Sequence, residues 1–206
     1  MKHILCFGDS NTHGSTTEYI GRYDYEDRWT VIMNRLLGEG YHVIEEGLGG
    51  RTTVFNDPFK PGKRGIDDIS NMLQTHKPLD LVIIMLGTND TKQVYNASVK
   101  SIAYGVEMII ERIRKEDMKT PEILIVSPVL IGEDVENCPF ESYDRSAYEK
   151  SLEFAKWFRR TAERTGSYFF DAATVAHVGK DNLHMTKDSH KALAEALAVK
   201  VREILG

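Results

Sequence analysis

Short apolar runs alternate with longer amphipathic stretches along the whole chain. The apolar runs span residues 3–7, 41–45, 81–86, 123–126 and 168–170. They are brief and apolar at successive positions, which is typical of strands in a parallel sheet that helices cover on both faces. The pattern therefore predicts five buried parallel strands.

The stretches between these runs have helical periodicity, and they span residues 28–37, 66–75, 99–115, 143–164 and 187–205. In the last stretch, Leu193, Leu197, Val201 and Ile204 recur on one helical face, and Thr186 is a predicted N-cap. Five βα units require right-handed crossovers. We therefore predict one domain over residues 1–206, a three-layer α/β/α sandwich with a five-stranded parallel, flavodoxin-like doubly wound sheet.

Composition and charge indicate which classes of partner the protein binds and in which cellular compartment it is expected. The 206 residues are 41% hydrophobic and 28% charged, as in ordinary globular proteins. A net charge of -5 argues against nucleic acid as a partner. Two cysteines, Cys6 and Cys138, form no disulfide framework, no signal-peptide pattern precedes the first strand, and no apolar run is long enough to cross a bilayer. We expect a cytoplasmic protein that does not bind membranes.

A serine lies in the turn that follows the first predicted strand. Ser10 is the third residue of the segment GDSNTHG, residues 8–14. A serine hydroxyl, a histidine that deprotonates it and an acid that orients the histidine together perform covalent acyl transfer. Taken alone, the turn fits equally well a helix cap or a hydroxyl-rich phosphate loop like those that bind flavin phosphate.

A carboxylate and an imidazole stand three residues apart before the last helix, at Asp181 and His184. This spacing allows the acid to orient one ring nitrogen while the other accepts a proton. Asp171 is a rival acid, and His177 and His190 are rival histidines, although the helical position of His190 favours a surface or packing role.

Two further segments follow strands at the edge of the sheet where such folds bind ligands. Residues 47–53 (GLGGRTT) can turn a backbone N–H inward, and residues 87–90 (GTND) place the Asn89 amide where it can donate to an oxyanion. Alone, each segment is better explained as a plain turn, a glycine turn for residues 47–53 and an Asn-Asp turn for residues 87–90. The histidine and cysteine spacings match no common metal site, so we predict no metal.

Taken in order, these four segments resemble the blocks of the SGNH (GDSL) hydrolase family, from Gly8 to His184. Residues 45–48 (EEGL), 51–53 (RTT) and 79–92 (LDLVIIMLGTNDTK) are similar to the mycobacterial arylesterase/acyltransferase branch. That branch hydrolyses small esters and passes acyl groups to alcohols.

The resemblance implies a cofactor-free carboxylic ester hydrolase that acts on small acyl, chiefly acetyl, esters, with possible acyltransferase activity. Ser10 would be the nucleophile, His184 the base and then the acid, and Asp181 the residue that orients His184. The oxyanion would bind the backbone N–H groups of Ser10 and Gly50 and the side chain of Asn89.

We also predict substrate contacts from Asp9, His13 and Arg51. Two positions depart from the family pattern. Asn11 stands where the family usually has leucine, and His13 stands where the arylesterase branch has tryptophan.

Alternative functions and an assembly remain open at this stage. A carbohydrate deacetylase of the acetylxylan type would use the same machinery, with sugar contacts from Arg22, Tyr23, Asn56 and Asp57. A flavin-binding electron carrier would use the hydroxyl-rich first loop as a phosphate cradle. Aromatic residues in loops expected to be exposed predict a homo-oligomer, namely Tyr23, Phe140 and Tyr143.

Overall fold

A parallel sheet forms the centre of the molecule in the computed structural model, which describes residues 1–18, 21–116, 120–140 and 142–206. The strands follow the spatial order β2-β1-β3-β4-β5, and every neighbouring pair is parallel. They are β1 (Lys2–Gly8), β2 (Tyr41–Gly47), β3 (Leu81–Met85), β4 (Glu122–Ser127) and β5 (Tyr168–Asp171). The five predicted strands are confirmed, each boundary lying within two residues of its predicted position.

Helices cover both faces of this sheet. They are α1 (Ser10–His13), α2 (Trp29–Leu37), α3 (Gly65–His76), α4 (Val99–Glu116), α5 (Arg145–Ser151), α6 (Phe154–Thr165) and α7 (Lys187–Leu205). Short 3₁₀ turns lie at Tyr25–Asp27, Asn89–Thr91, Gln93–Tyr95, Val135–Asn137 and Ala172–Thr174. The predicted three-layer α/β/α architecture is therefore confirmed.

One predicted helix, over residues 143–164, is wrong as a single element because the structure contains α5 and α6 there. The break follows Ser151, whose hydroxyl donates to the Tyr148 carbonyl at 2.7 Å and accepts the Ile131 N–H at 3.1 Å. A serine hydroxyl that bonds backbone groups in this way competes with regular helical hydrogen bonding. The end of α5 is thereby tied to the segment that follows β4.

Successive residues of a strand pack into two separate hydrophobic cores, one on each face of the sheet. In β1, Leu5 and Phe7 pack with α3, α4 and α6, whereas Ile4 and Cys6 pack with α2 and α7. All four side chains are fully buried. Burial on both faces explains why the strands lack the apolar–polar alternation of a half-exposed sheet.

The strand order brings three loops together at one edge of the sheet. Because β1 lies between β2 and β3, the loops that leave these three strands are neighbours. Residue 47 must be glycine for α1 to pack there, since a Cβ at Gly47 would lie 2.1 Å from the backbone nitrogen of His13. The end of β2 therefore supports the short helix that begins with Ser10.

Candidate active site

One cavity of about 570 Å³ lies at this edge of the sheet. Its wall includes Ser10 at the start of α1, Gly50 in the turn after β2, Asn89 after β3 and His184 before α7. These four residues come from four separate segments of the chain. The fold thus brings together the residues that the sequence motifs single out.

The imidazole of His184 is held by a buried carboxylate. Asp181 is fully buried, and its Oδ2 lies 2.5 Å from His184 Nδ1. Its Oδ1 accepts the backbone N–H groups of Leu183 at 3.0 Å and His184 at 2.8 Å. Since a carboxylate can only accept hydrogen bonds, Nδ1 carries the proton and Nε2 is left as an acceptor.

The turn that carries this pair is fixed by backbone contacts. Asn182 adopts a left-handed conformation with φ of 61°, which asparagine tolerates better than most residues. Its carbonyl accepts the Gly132 N–H at 2.8 Å, and the Gly179 N–H donates to the His184 carbonyl at 2.8 Å. The position of the imidazole is therefore set by the loop as well as by Asp181.

Asn11, the residue after Ser10, connects the serine turn to the histidine turn. Its buried side chain donates from Nδ2 to the Leu183 carbonyl at 3.1 Å and accepts the Met185 N–H at Oδ1 at 2.8 Å. These two residues flank His184 on either side. Sequence reasoning noted Asn11 only as a departure from leucine; the available signal was a polar residue at a position that is normally apolar.

Three residues of the cavity wall, Ser10, Gly50 and Asn89, are the predicted oxyanion donors. The Asn89 amide is oriented by its Oδ1, which accepts the Tyr143 hydroxyl at 3.0 Å, and its Nδ2 donates to the Arg51 carbonyl at 3.1 Å and to Asp9 Oδ2 at 3.4 Å. Among the described residues, neither the Ser10 nor the Gly50 backbone N–H donates to another protein group. Both N–H groups are consequently available to a substrate oxygen.

Two carboxyl groups lie buried behind the cavity wall. Asp9 caps α1 by accepting the Asn11 N–H at 2.9 Å, and burial raises its pKa to about 6. Asp90 accepts the Thr53 N–H at 2.9 Å, while its Oδ2 has no partner among the described residues. Burial, with a smaller contribution from the Asp9 charge, raises the pKa of Asp90 to about 7.

Asp90→Asn is expected to remove part of the pH dependence of stability. Because the pKa of native Asp90 lies above that of the unfolded chain, the native state binds more protons, and the free energy of unfolding falls as pH rises from about 4 to about 7. The variant should gain on the order of 4 kcal/mol relative to wild type between pH 4 and pH 8. Urea unfolding across this range measures the difference, with exposed Asp134→Asn as the control. Parallel stability curves for wild type and Asp90→Asn would contradict the argument.

None of the three predicted substrate contacts, Asp9, His13 and Arg51, lines the cavity, and substrate contact by these residues stays a prediction. Arg51 is buried, donates to the Gly8 carbonyl at 2.8 Å and lies over the Phe7 ring. The pKa of His13 is lowered by burial and by nearby Arg22 and Arg28. Asp9 and Arg51 therefore support the loops behind the cavity.

The rival acid and histidines also lie off the cavity wall. Asp171 caps the turn Ala172–Thr174 by accepting the Ala173 N–H at 3.1 Å. His177 Nδ1 lies 3.3 Å from the Ser189 hydroxyl. His190 is fully buried, accepts the Trp29 N–H at 3.2 Å, and has a pKa lowered to about 4 by burial.

The residues proposed for sugar contact also lie off the cavity wall, and they bond elsewhere where contacts occur. Arg22 pairs with Glu45 at 3.3 Å, the Tyr23 hydroxyl donates to the Met185 carbonyl at 3.3 Å, and Asp57 pairs with Lys92 at 2.9 Å. Asn56, the fourth, is exposed. The sugar-binding prediction therefore loses its proposed contacts.

The expected exposure of Tyr143 is wrong, because this side chain is only 8% exposed and orients Asn89. Phe140 is half-buried and lines the cavity, with its ring edge-on to the His184 ring at 5.8 Å between centroids. The homo-oligomer remains a prediction, but Tyr143 no longer supports it.

Three features outside the cavity relate to the predictions about membranes, metals and compartment: helix length, metal-ligating side chains and cysteines. In the ranges that the structure describes, no helix has the length and apolarity needed to cross a bilayer. In the same ranges, no group of three or more His, Cys, Asp or Glu side chains is arranged to hold a metal ion. Cys6 and Cys138 are both buried free thiols. A cytoplasmic location remains a prediction.

Comparison with known proteins gives a distant sequence relative. The Bacillus subtilis protein YqeF, an uncharacterized lipoprotein, is 28% identical over 163 residues, which are 75% of this chain and 60% of YqeF. The chain thus spans less than two thirds of the length of this relative. The likeness extends over most of the present fold but leaves much of YqeF unmatched.

Solved structures match over the full length of the chain. An aryl esterase of M. smegmatis is 36% identical with a TM-score of 0.92, and each chain is covered completely. Est24, a carbohydrate acetylesterase from Sinorhizobium meliloti, is 35% identical with a TM-score of 0.93, again with complete coverage of both chains. A sequence model of the GDSL-like lipase/acylhydrolase family matches residues 6–192. The predicted SGNH resemblance is thereby confirmed, and the chain belongs to the GDSL-like lipase/acylhydrolase family of carboxylic ester hydrolases.

Proposed function

We propose that this chain is a serine esterase that hydrolyses small acyl esters, acetyl esters above all, through a covalent acyl-enzyme. The observation that carries the proposal is the shared cavity wall of Ser10, Gly50, Asn89 and His184, together with the 2.5 Å contact between Asp181 and His184. This arrangement supplies a nucleophile, an oriented base and several oxyanion donors at one place.

In the proposed first step, the Ser10 hydroxyl oxygen attacks the ester carbonyl while His184 Nε2 takes its proton. The negative charge on the carbonyl oxygen is stabilised by the N–H groups of Ser10 and Gly50 and by the Asn89 amide. The tetrahedral intermediate then loses the alkoxide, to which His184 returns the proton. The products are a free alcohol and an acyl ester on Ser10.

In the second step, His184 deprotonates a water molecule that attacks the acyl-Ser10 carbonyl. The carboxylic acid leaves, and Ser10 regains its proton from His184. An alcohol in place of water would give acyl transfer instead. The apolar wall formed by Pro139, Phe140 and Leu183 supports binding of an apolar alcohol near His184, and we propose this acyltransferase activity as a secondary reaction.

A carbohydrate acetylesterase activity is the second candidate. The likeness to Est24 favours it, as do the hydroxyl-bearing Ser15, Thr16 and Ser142 on the cavity wall. Assays of 4-nitrophenyl esters from acetate to octanoate, beside acetylated xylo-oligosaccharides, separate the two candidates. Higher kcat/KM for the acetylated oligosaccharides would favour the sugar ester, and hydrolysis of none of these compounds would overturn the esterase proposal.

The family membership disfavours the flavin alternative. Of the hydroxyl residues in the first loop, Ser10, Ser15 and Thr16 line the cavity. Thr12 and Thr17 are buried and lie off the cavity wall, where Thr17 packs against Gly179. The family membership also accounts for Asp181 and His184, which the flavin hypothesis left without a role.

Asn89→Ala is expected to lower kcat about 10²–10³-fold because one oxyanion donor is removed. The substitution also leaves the buried Tyr143 hydroxyl and Arg51 carbonyl without a partner, so stability should fall by about 1–3 kcal/mol. Steady-state kinetics and urea unfolding separate the two effects. Tyr143→Phe keeps the donor but removes its orienting bond, and its loss of kcat should be smaller. A decrease below about threefold for Asn89→Ala would exclude the assigned role.

A further inference from the structure

Lysines supply the charged side chains on the described part of the cavity wall. Among the described residues that line it, Lys60, Lys63 and Lys92 are present, and no aspartate or glutamate is. The protein as a whole has a net charge of -5. The cavity therefore has the opposite charge to the rest of the molecule, and a cleft lined by one sign of charge raises the local concentration of ligands of the other sign.

One of these lysines is already neutralised by a partner. Lys92 Nζ lies 2.9 Å from Asp57 Oδ2, and both side chains are buried. The other oxygen of Asp57 accepts the backbone N–H groups of Phe59 at 2.9 Å and Lys60 at 3.1 Å. The Lys92–Asp57 pair therefore anchors the loop that carries Lys60 and leaves little positive charge of its own.

Lys63 is held close to a proposed oxyanion donor. Its carbonyl accepts the Thr52 N–H at 2.9 Å, which fixes its backbone beside the turn after β2. Its Cε lies 4.0 Å from where a Cβ on Gly50 would stand. The ammonium group, one bond beyond Cε, therefore lies near Gly50.

The ammonium groups of Lys60 and Lys63 have no carboxylate partner in the described part of the chain, where the lysines in ion pairs are others. Lys60 is exposed and Lys63 is half-buried. Both lysines line the cavity, Lys63 lies near Gly50, and the Phe140 ring lies edge-on to His184. A ligand that fills the cavity would therefore meet both an apolar surface and two positive charges.

We propose that this enzyme prefers esters that carry a negative charge, such as a carboxylate or a phosphate, and that Lys60 and Lys63 bind that charge. The proposal rests on the serine esterase function above and adds the class of substrate. Lys60 and Lys63 have no carboxylate partner among the described residues, so each gains an ion pair when an anion binds without first breaking one to those residues. Neutral esters would bind through the apolar wall and the oxyanion donors alone.

The test compares charged esters with neutral analogues of nearly the same shape. On the acyl side, 4-nitrophenyl hemisuccinate is paired with its methyl-capped diester. On the alcohol side, 4-acetoxybenzoate is paired with 4-acetoxybenzamide. The quantity measured is the ratio of kcat/KM for the charged ester to that for its neutral partner. This ratio is compared between each variant and wild type, because the intrinsic reactivities of the two esters cancel in that comparison.

Lys60→Gln and Lys63→Gln should each lower this ratio about threefold, and the double variant about tenfold. The decrease is expected for the pair of esters whose negative charge contacts the lysines. The wild-type ratio should also fall as sodium chloride increases, because salt screens exposed charges. Lys2→Gln is the matched control, since Lys2 is exposed at the start of β1, at the opposite edge of the sheet. Its ratio should equal that of wild type.

An unchanged ratio in the double variant for both pairs would overturn the proposal, while continued hydrolysis of the neutral esters would leave the esterase function intact. An equal loss of kcat for charged and neutral esters in Lys63→Gln would also overturn it, because Lys63 would then act on the oxyanion of every substrate. Failure of the wild type to hydrolyse any of the four esters would instead overturn the esterase function itself.

Discussion

Ser10→Ala is expected to lower kcat about 10⁴-fold or more while the protein folds as before. The variant loses one oxygen atom at the start of α1, and the α1 cap from Asp9 to the Asn11 N–H remains. No covalent acyl-enzyme can form without the hydroxyl. Residual turnover should reflect the oxyanion donors and substrate binding alone, because these do not depend on the nucleophile.

Two measurements check this result. Hydrolysis of 4-nitrophenyl acetate gives kcat, and a fluorophosphonate probe reports whether a reactive serine is present. The probe should label wild type and the control Ser101→Ala, whose serine is exposed on α4, and should not label Ser10→Ala. Turnover of Ser10→Ala within tenfold of wild type, or labelling of that variant at the same rate, would show that Ser10 is not the nucleophile.

The sheet and most helices could be predicted because their signals are local and periodic. The helix break after Ser151 could not be predicted, because the Ser151 hydroxyl accepts the N–H of Ile131, which lies twenty residues earlier in the chain. The same limit explains Tyr143, whose hydroxyl reaches Asn89 across 54 residues of sequence. An aromatic residue between two helical patterns gives no indication of which residues it will contact.

In the candidate site too, contacts between residues near in sequence could be predicted, whereas contacts between distant residues could not. The Asp181–His184 contact spans three residues, so spacing alone suggested it. The bonds of Asn11 span 172 and 174 residues, and nothing local to Asn11 indicates them. Asp9 and Arg51 lie off the cavity wall, because a polar residue beside a catalytic motif can serve the scaffold as readily as the ligand. Only the tertiary structure determines which way such a side chain points.

Asn11 also fixes the position of the proposed base relative to the proposed nucleophile. Ser10 lies at the start of α1 and His184 lies on a loop near the other end of the chain. A small shift between reacting groups can cost a large factor in rate. The Asn11 side chain bonds the backbone on both sides of His184, and its own backbone lies directly after Ser10. A leucine there would fill space but would leave the Leu183 carbonyl and the Met185 N–H without this partner.

Asp181→Asn is expected to lower kcat about 10⁴-fold although it changes one oxygen to an NH₂ group. The Oδ1 of Asp181 accepts two backbone N–H groups, from Leu183 and His184, so the amide oxygen of asparagine should keep that position. The NH₂ group must then face His184 Nδ1, where Asp181 Oδ2 now lies. As a donor, it would require Nδ1 to accept and would shift the ring proton to Nε2.

A His184 ring protonated at Nε2 cannot take the proton of Ser10, so the loss should appear in kcat with little change in stability. Kinetics with 4-nitrophenyl acetate measure the loss, and ¹⁵N NMR of the imidazole identifies the tautomer directly. Asp171→Asn is the matched control, because asparagine can still accept the Ala173 N–H and the residue lies off the cavity wall. If Asp181→Asn retained more than about a tenth of wild-type kcat with the Nε2 tautomer present, proton transfer to His184 would not limit the reaction and the assigned role of Asp181 would be wrong. A large loss in Asp171→Asn instead would identify that residue as the acid that supports the base.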